Sequence, residues 1–144
     1  ALLRMKESGN VLLTGDEKTE LGILVFDVTT APSGFVAENA DVVAKFLAVT
    51  AAANTEWNAS QPAAMLAAVA KDAGMSEADA ASSMGTFVFP DVDAQLSSGW
   101  LGGAAQTFMK GVADVFVAAN SIDSAKASYA DNVNVGPLTA AKGM

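Results

Sequence analysis

Cysteine and histidine are both absent from the 144 residues. Without cysteine there is no disulfide, no thiol nucleophile and no thiolate metal site, and the redox compartment is left open. Without histidine the commonest general base and metal ligand is missing too, which weighs against hydrolase and zinc-enzyme readings. Positive charge is also scarce: 8 Lys and Arg stand against 16 Asp and Glu, a formal net charge of −8, and the bases form no cluster. Phosphate neutralisation supplies most non-specific nucleic-acid affinity, so nucleic acid and anionic membrane surfaces are disfavoured as partners. No run of about 18 apolar residues is free of charge, so no transmembrane helix is expected.

What the chain does have is a hydrophobic content of 51%, enough for one sizeable core and far from a disordered composition. Its most strand-like stretch is Gly22 to Thr30, where Ile23, Leu24, Val25 and Phe26 run consecutively and Val28, Thr29 and Thr30 follow. These residue types fit a pleated surface, and four apolar residues in a row suggest that both faces are covered. Asp27 interrupts this pattern. An aspartate between Phe26 and Val28 must reach water, a hydrogen-bonding partner or a ligand, because burying it unpaired costs several kcal/mol, on the order of a lost ion pair. Its spacing alone does not choose between a solvated strand end and a counter-ion for a cationic ligand.

Around this stretch the chain reads as follows. Ala1 to Gly9 has the character of the last turns of a helix, with Gly9 at a left-handed C-cap and Arg4 and Lys6 near the negative end of the dipole. Asn10–Thr14 is a short strand candidate, and Asp16–Glu20 a charged surface connection. Asn39 is a suitable N-cap for a helix through Trp57, and Ser60 for another that carries Pro62 in its first turn and stops at Gly74. Ser76 with Asp79 approximates a capping box for a short alanine-rich helix ending near Gly85. Thr86–Phe89 is a brief extended run ended by Pro90. From about Ser97 a long amphipathic helix is expected, with close backbone packing or a frayed start at Gly102-Gly103 and Gly111. A last helix runs from Ser121-Ile122-Asp123 to about Asn132, and a loose tail follows. Trp57, Phe87, Phe89 and Trp100 read as ordinary packing residues. Two strands cannot make a self-contained sheet, so their partners are expected elsewhere, in a larger α/β protein.

Lys6 to Leu13, then Phe26-Asp27, then Phe87 to Leu96 and Trp100-Leu101-Gly102-Gly103 together resemble, in consistent order over nearly the whole chain, the C-terminal half of the taurine-binding proteins. These are the substrate-binding components of taurine ABC importers, within the wider group that takes up sulfonates. The resemblance rests on order and coverage, since no single motif is specific. It implies an α/β, partial two-lobed periplasmic-binding-protein-like (type II) fold, with two strands and then four to five helices. Residues 1–21 would end the second lobe, 22–31 would be the crossover or hinge strand, and 32–144 the C-terminal part of the first lobe. It further implies a periplasmic protein that captures taurine or a related sulfonate for an inner-membrane permease, with neither catalysis nor cofactor nor metal. Asp27 would receive the amino group, with Thr29 on the same side of the strand and Phe26 beside it as further ligand-binding candidates, and the sulfonate donors are expected outside this sequence. Alkanesulfonates, lacking the amine, and other small zwitterions are alternative ligand classes. A pyrimidine-precursor biosynthetic enzyme on a related scaffold is an alternative from a different class.

Overall fold

The computed structural model of the protein describes residues 5–144. The expectation for Arg4 falls outside them. Among the described residues the regular structure is helical throughout, and no strand forms. The helices are α1 (Gly15–Glu20), α2 (Ser33–Glu38), α3 (Ala40–Ser60), α4 (Ala63–Ala73), α5 (Glu77–Met84), α6 (Val92–Leu96), α7 (Ala104–Ala118) and α8 (Gly136–Ala141), with a 3₁₀ turn at Ala130–Asn132.

This overturns the expected α/β fold and, with it, the partial two-lobed type II architecture. The reason lies in backbone pairing. Ile23 still donates to the Lys18 carbonyl at 2.8 Å, but from Leu24 to Ala31 no backbone hydrogen bond is made among the described residues until Val36 bonds Pro32. Strand propensity selects an extended conformation, and only a neighbouring strand turns it into a sheet. Asn10–Thr14, the other strand candidate, ends instead as a helix entry. Thr14 is the N-cap of α1: its hydroxyl accepts from the Glu17 N–H at 3.2 Å, while the Glu17 carboxylate accepts from the Thr14 N–H at 2.7 Å. That reciprocal box satisfies two donors at the helix start and makes a helix of the segment expected as a loop.

The chain divides into two compact units, one comprising Ala1–Val25 and Glu56–Phe89, the other Phe26–Thr55 and Pro90–Met144. Helix α3 contributes its first part to the second unit and its end to the first. In the first unit α4 and α5 pack on each other, burying Ala70 and Ala80, and alanine's small side chain permits close helix approach. Gly74 closes α4 in the left-handed region at φ 63°, and Met75 bonds back to the Ala70 carbonyl at 3.0 Å, a C-terminal motif that glycine adopts without a Cβ penalty. Ser76 caps α5 by accepting from the Asp79 N–H at 3.1 Å. Trp57, 7% exposed, is the large side chain buried here. It meets Phe89 edge-to-face at 6.3 Å, while the Asn58 amide donates to the Phe89 carbonyl at 2.7 Å. Thr86–Phe89, expected to be extended, opens with turns, as Thr86 and Phe87 bond back to Ser83 and Met84.

In the second unit Asp91 caps the short helix α6, its carboxylate accepting from the Ala94 N–H at 2.8 Å. It packs on α8, and Lys142 and Asp93 form an ion pair between them. The chain then folds back sharply: Leu101 bonds the Gln95 carbonyl at 3.0 Å and Gly102 that of Ser97 at 2.9 Å. A Cβ on Gly102 would stand 2.7 Å from both the Leu96 and Ser97 carbonyl oxygens, so the expected close approach at this glycine is real. The amphipathic helix accordingly begins at Ala104 rather than near Ser97. The final helix expected over Ser121–Asn132 does not form. Asn120, at φ 55°, and a Ser121 bond to the Phe116 carbonyl close α7. Beyond it the Ser- and Asp-rich run offers the backbone side-chain partners instead, as where the Ser128 hydroxyl accepts from the Ala130 N–H. The tail expected to be loose is α8, with Pro137 in its first turn and Leu138 and Ala141 buried. Gly9 and Asn39 also differ from expectation. Gly9 does not take the left-handed region, and the Asn39 amide donates back to the Phe35 carbonyl at the end of α2.

Candidate functional site

The three residues singled out in sequence lie on the unpaired extended segment and part company there. Asp27 and Thr29 are exposed, and Phe26 is half-buried. Among the described residues Asp27 takes part in no backbone hydrogen bond and its carboxylate in no ion pair. Phe26 turns into the second unit. Its ring meets Trp100 edge-on at 6.0 Å and 84°, and Phe108 at 6.0 Å and 62°, separations at which aromatic pairs add to simple burial.

Phe26 is also one wall of an open pocket of about 360 Å³ on α7. Phe108, Met109, Val112 and Phe116 recur along one face of that helix at the three- and four-residue spacing that puts side chains in a row. Ala113, Ile122 and Tyr129 complete the lining. Asp27 and Thr29 do not line it. The helical periodicity of α7 was visible in sequence as that of an amphipathic helix; Phe116 on it is 49% exposed. What hid the pocket was the segment after α7, expected as a helix, whose irregular path brings Ile122 and Tyr129 to the same place. A second depression, of about 310 Å³, is framed by residues 5–13 of the first unit, among them Met5, Lys6, Leu12 and Leu13.

Electrostatically the α7 surface is mixed. The Lys110 ammonium holds the Asp114 carboxylate at 2.5 Å one turn away, an exposed i,i+4 pair of small energetic weight. Lys126 lies 5.9 Å from the centre of the Tyr129 ring and donates to the Asn132 side chain at 3.2 Å. Elsewhere, the backbone bond from Thr14 and, second to it, the bond from the Thr14 hydroxyl lower the Glu17 carboxyl from its ordinary value. Among the described residues no group of three or more acidic side chains is gathered as a metal site would need, and no helix is long and apolar enough to cross a membrane. No family model, curated protein or solved structure matches the chain.

Proposed function

We propose that this chain is part of a solute-binding protein that captures taurine, 2-aminoethanesulfonate, and delivers it to an ABC permease, without catalysis. The reading rests on the ordered resemblance in sequence and on one structural observation, the exposed carboxylate of Asp27, which meets no ion-pair partner among the described residues. Taurine carries an ammonium at one end and a sulfonate at the other, so an anion with no partner of its own is what its amino group requires. A charge-assisted hydrogen bond of this kind contributes about 1.5–3 kcal/mol. Thr29, two residues on and exposed, supplies a hydroxyl within the same segment. The periplasm is the compartment this activity implies.

Titration calorimetry tests the assignment directly. The protein is expected to bind taurine, Asp27→Asn to weaken that binding by about tenfold or more, and ethanesulfonate, which has no amine, to be indifferent to the substitution. Equal taurine affinity in the two proteins removes Asp27 from the site, and an equal loss for both ligands means that the change acts through structure rather than through the ammonium.

A further inference from the structure

We propose that the Val25–Phe26 peptide bond is a site of proteolytic nicking in the folded protein, open to an endopeptidase whose specificity pocket takes an aliphatic residue. Such an enzyme holds its substrate as an extended strand and pairs with the main chain, so it needs a backbone that is straight and uncommitted. From Leu24 to Ala31 the chain runs without turn or bend and makes no backbone hydrogen bond among the described residues. Its side chains alternate as those of a strand do: Leu24 and Phe26 are half-buried, while Ile23, Val25 and Asp27 are exposed. Val25, 73% exposed, is the aliphatic side chain offered outward, and Phe26 beside it is held by Trp100 and Phe108. The bond also falls where the chain passes from the first unit to the second. The molecule contains its own contrast. Val88 is likewise an exposed valine followed by phenylalanine, and at 87% it is more open than Val25. Its neighbours, however, have their backbone committed: the Phe87 N–H donates to the Met84 carbonyl at 3.1 Å, and the Phe89 carbonyl accepts from the Asn58 amide at 2.7 Å. Side-chain exposure favours Val88 and a free main chain favours Val25. In the cut itself the oxygen of water joins the Val25 carbonyl carbon, the bond to the Phe26 nitrogen breaks, and the water protons are shared out to leave a carboxylate and an ammonium. Nicking is independent of taurine capture: neither reading requires the other.

The probe is elastase, whose small specificity pocket takes short aliphatic side chains, added in trace amount to the intact protein, with the products located by mass spectrometry. Each rate is divided by that of a synthetic peptide spanning the same bond, which removes the enzyme's own preference among neighbouring residues. Fragments ending at Val25 and beginning at Phe26 should form, and the corrected rate should exceed that at Val88–Phe89 by about tenfold or more, since the second bond must first be freed by local opening. Urea below the unfolding transition should leave the corrected Val25 rate unchanged and raise the Val88 rate. Val25→Glu should abolish the nick, and circular dichroism establishes that the variant keeps its helix content. Equal corrected rates at the two bonds, absence of a product ending at Val25, or a Val25 rate that climbs with urea in step with that at Val88 overturns the proposal.

Discussion

The two units meet the same shortage in different ways. Each is built from alanine-rich helices, and the fully buried positions are mostly alanine: Ala70 and Ala80 in one, Ala44, Ala105, Ala113 and Ala141 in the other. The first unit adds one large anchor, Trp57, backed by Phe89 and by helices whose ends are closed by Thr14, Gly74 and Ser76. The second adds Leu138 and an aromatic group of Phe26, Trp100 and Phe108 that is only half-buried. One unit thus concentrates its large apolar area at a single residue and the other spreads it over a surface. A concentrated anchor makes for a large single-site loss; a spread one leaves apolar area free for a partner.

Trp57→Ala is the sharpest way to break this contrast. Removing a buried aromatic costs about 3–5 kcal/mol, enough to unfold a marginal unit. The variant retains Trp100, which belongs to the second unit, as the remaining tryptophan. Urea unfolding followed by Trp100 fluorescence should therefore change little, while far-ultraviolet circular dichroism loses the helices of the first unit. If both signals shift together, the two units are one cooperative body and the contrast between their cores is of no energetic consequence.

A smaller effect tests the second unit by its backbone. Gly102→Ala places a methyl 2.7 Å from two carbonyl oxygens, so the turn joining α6 to α7 has to open. Overpacking of this kind costs about 1–3 kcal/mol. The measured loss should exceed that of Gly111→Ala, where a Cβ meets nothing within 4 Å and helix propensity favours alanine. Melting temperatures of the pair decide the matter, and the expected order is Gly102→Ala below the parent and Gly111→Ala at or above it.

How much of this was legible in sequence follows from the range of the interactions involved. Some signals confined to one helix were read correctly, such as Gly74 as a stop, Ser76 as a cap and the apolar repeat of α7, whereas Ser60, read as a helix start, is the last residue of α3. Gly102 and Gly111 were flagged alike because glycine costs helix propensity, and of the two only Gly102 has the close backbone neighbours expected. What could not be read depends on distant partners. The run from Leu24 to Thr30 has strand-forming residues, but whether it becomes a strand is decided by another segment's free edge, and among the described residues none meets it. Leu138 is buried on α8, the helix that α6 lies against, and that pairing is not contained in sequence-local patterns. For the site, Asp27 was singled out because a carboxylate among apolar residues is conspicuous, and its exposure is compatible with either a solvated or a ligand-bound role. The pocket on α7 was not seen, since its outer wall comes from a segment read as helix.

The smallest effect separates the helix ends of the first unit from its core. Glu17 has its carboxyl lowered by the Thr14 backbone bond first and by the Thr14 hydroxyl second, so the ionised form is the one the folded chain prefers. A group whose folded pKa is depressed contributes stability that is present above its unfolded pKa and is lost as pH falls through the folded value. Helix α1 should therefore loosen on acidification below the ordinary glutamate range, while α4 and α5, whose junction is closed by Gly74 and Ser76, keep their helicity at that point. Following the Glu17 side-chain resonance by NMR should give a titration midpoint below that of an exposed glutamate. Thr14→Val, which removes the hydroxyl and keeps the backbone N–H, should move that midpoint only part of the way back, because the larger of the two causes is retained. A full return to the ordinary value would mean that the hydroxyl alone holds the box, and that the reciprocal backbone bond contributes nothing to the start of α1.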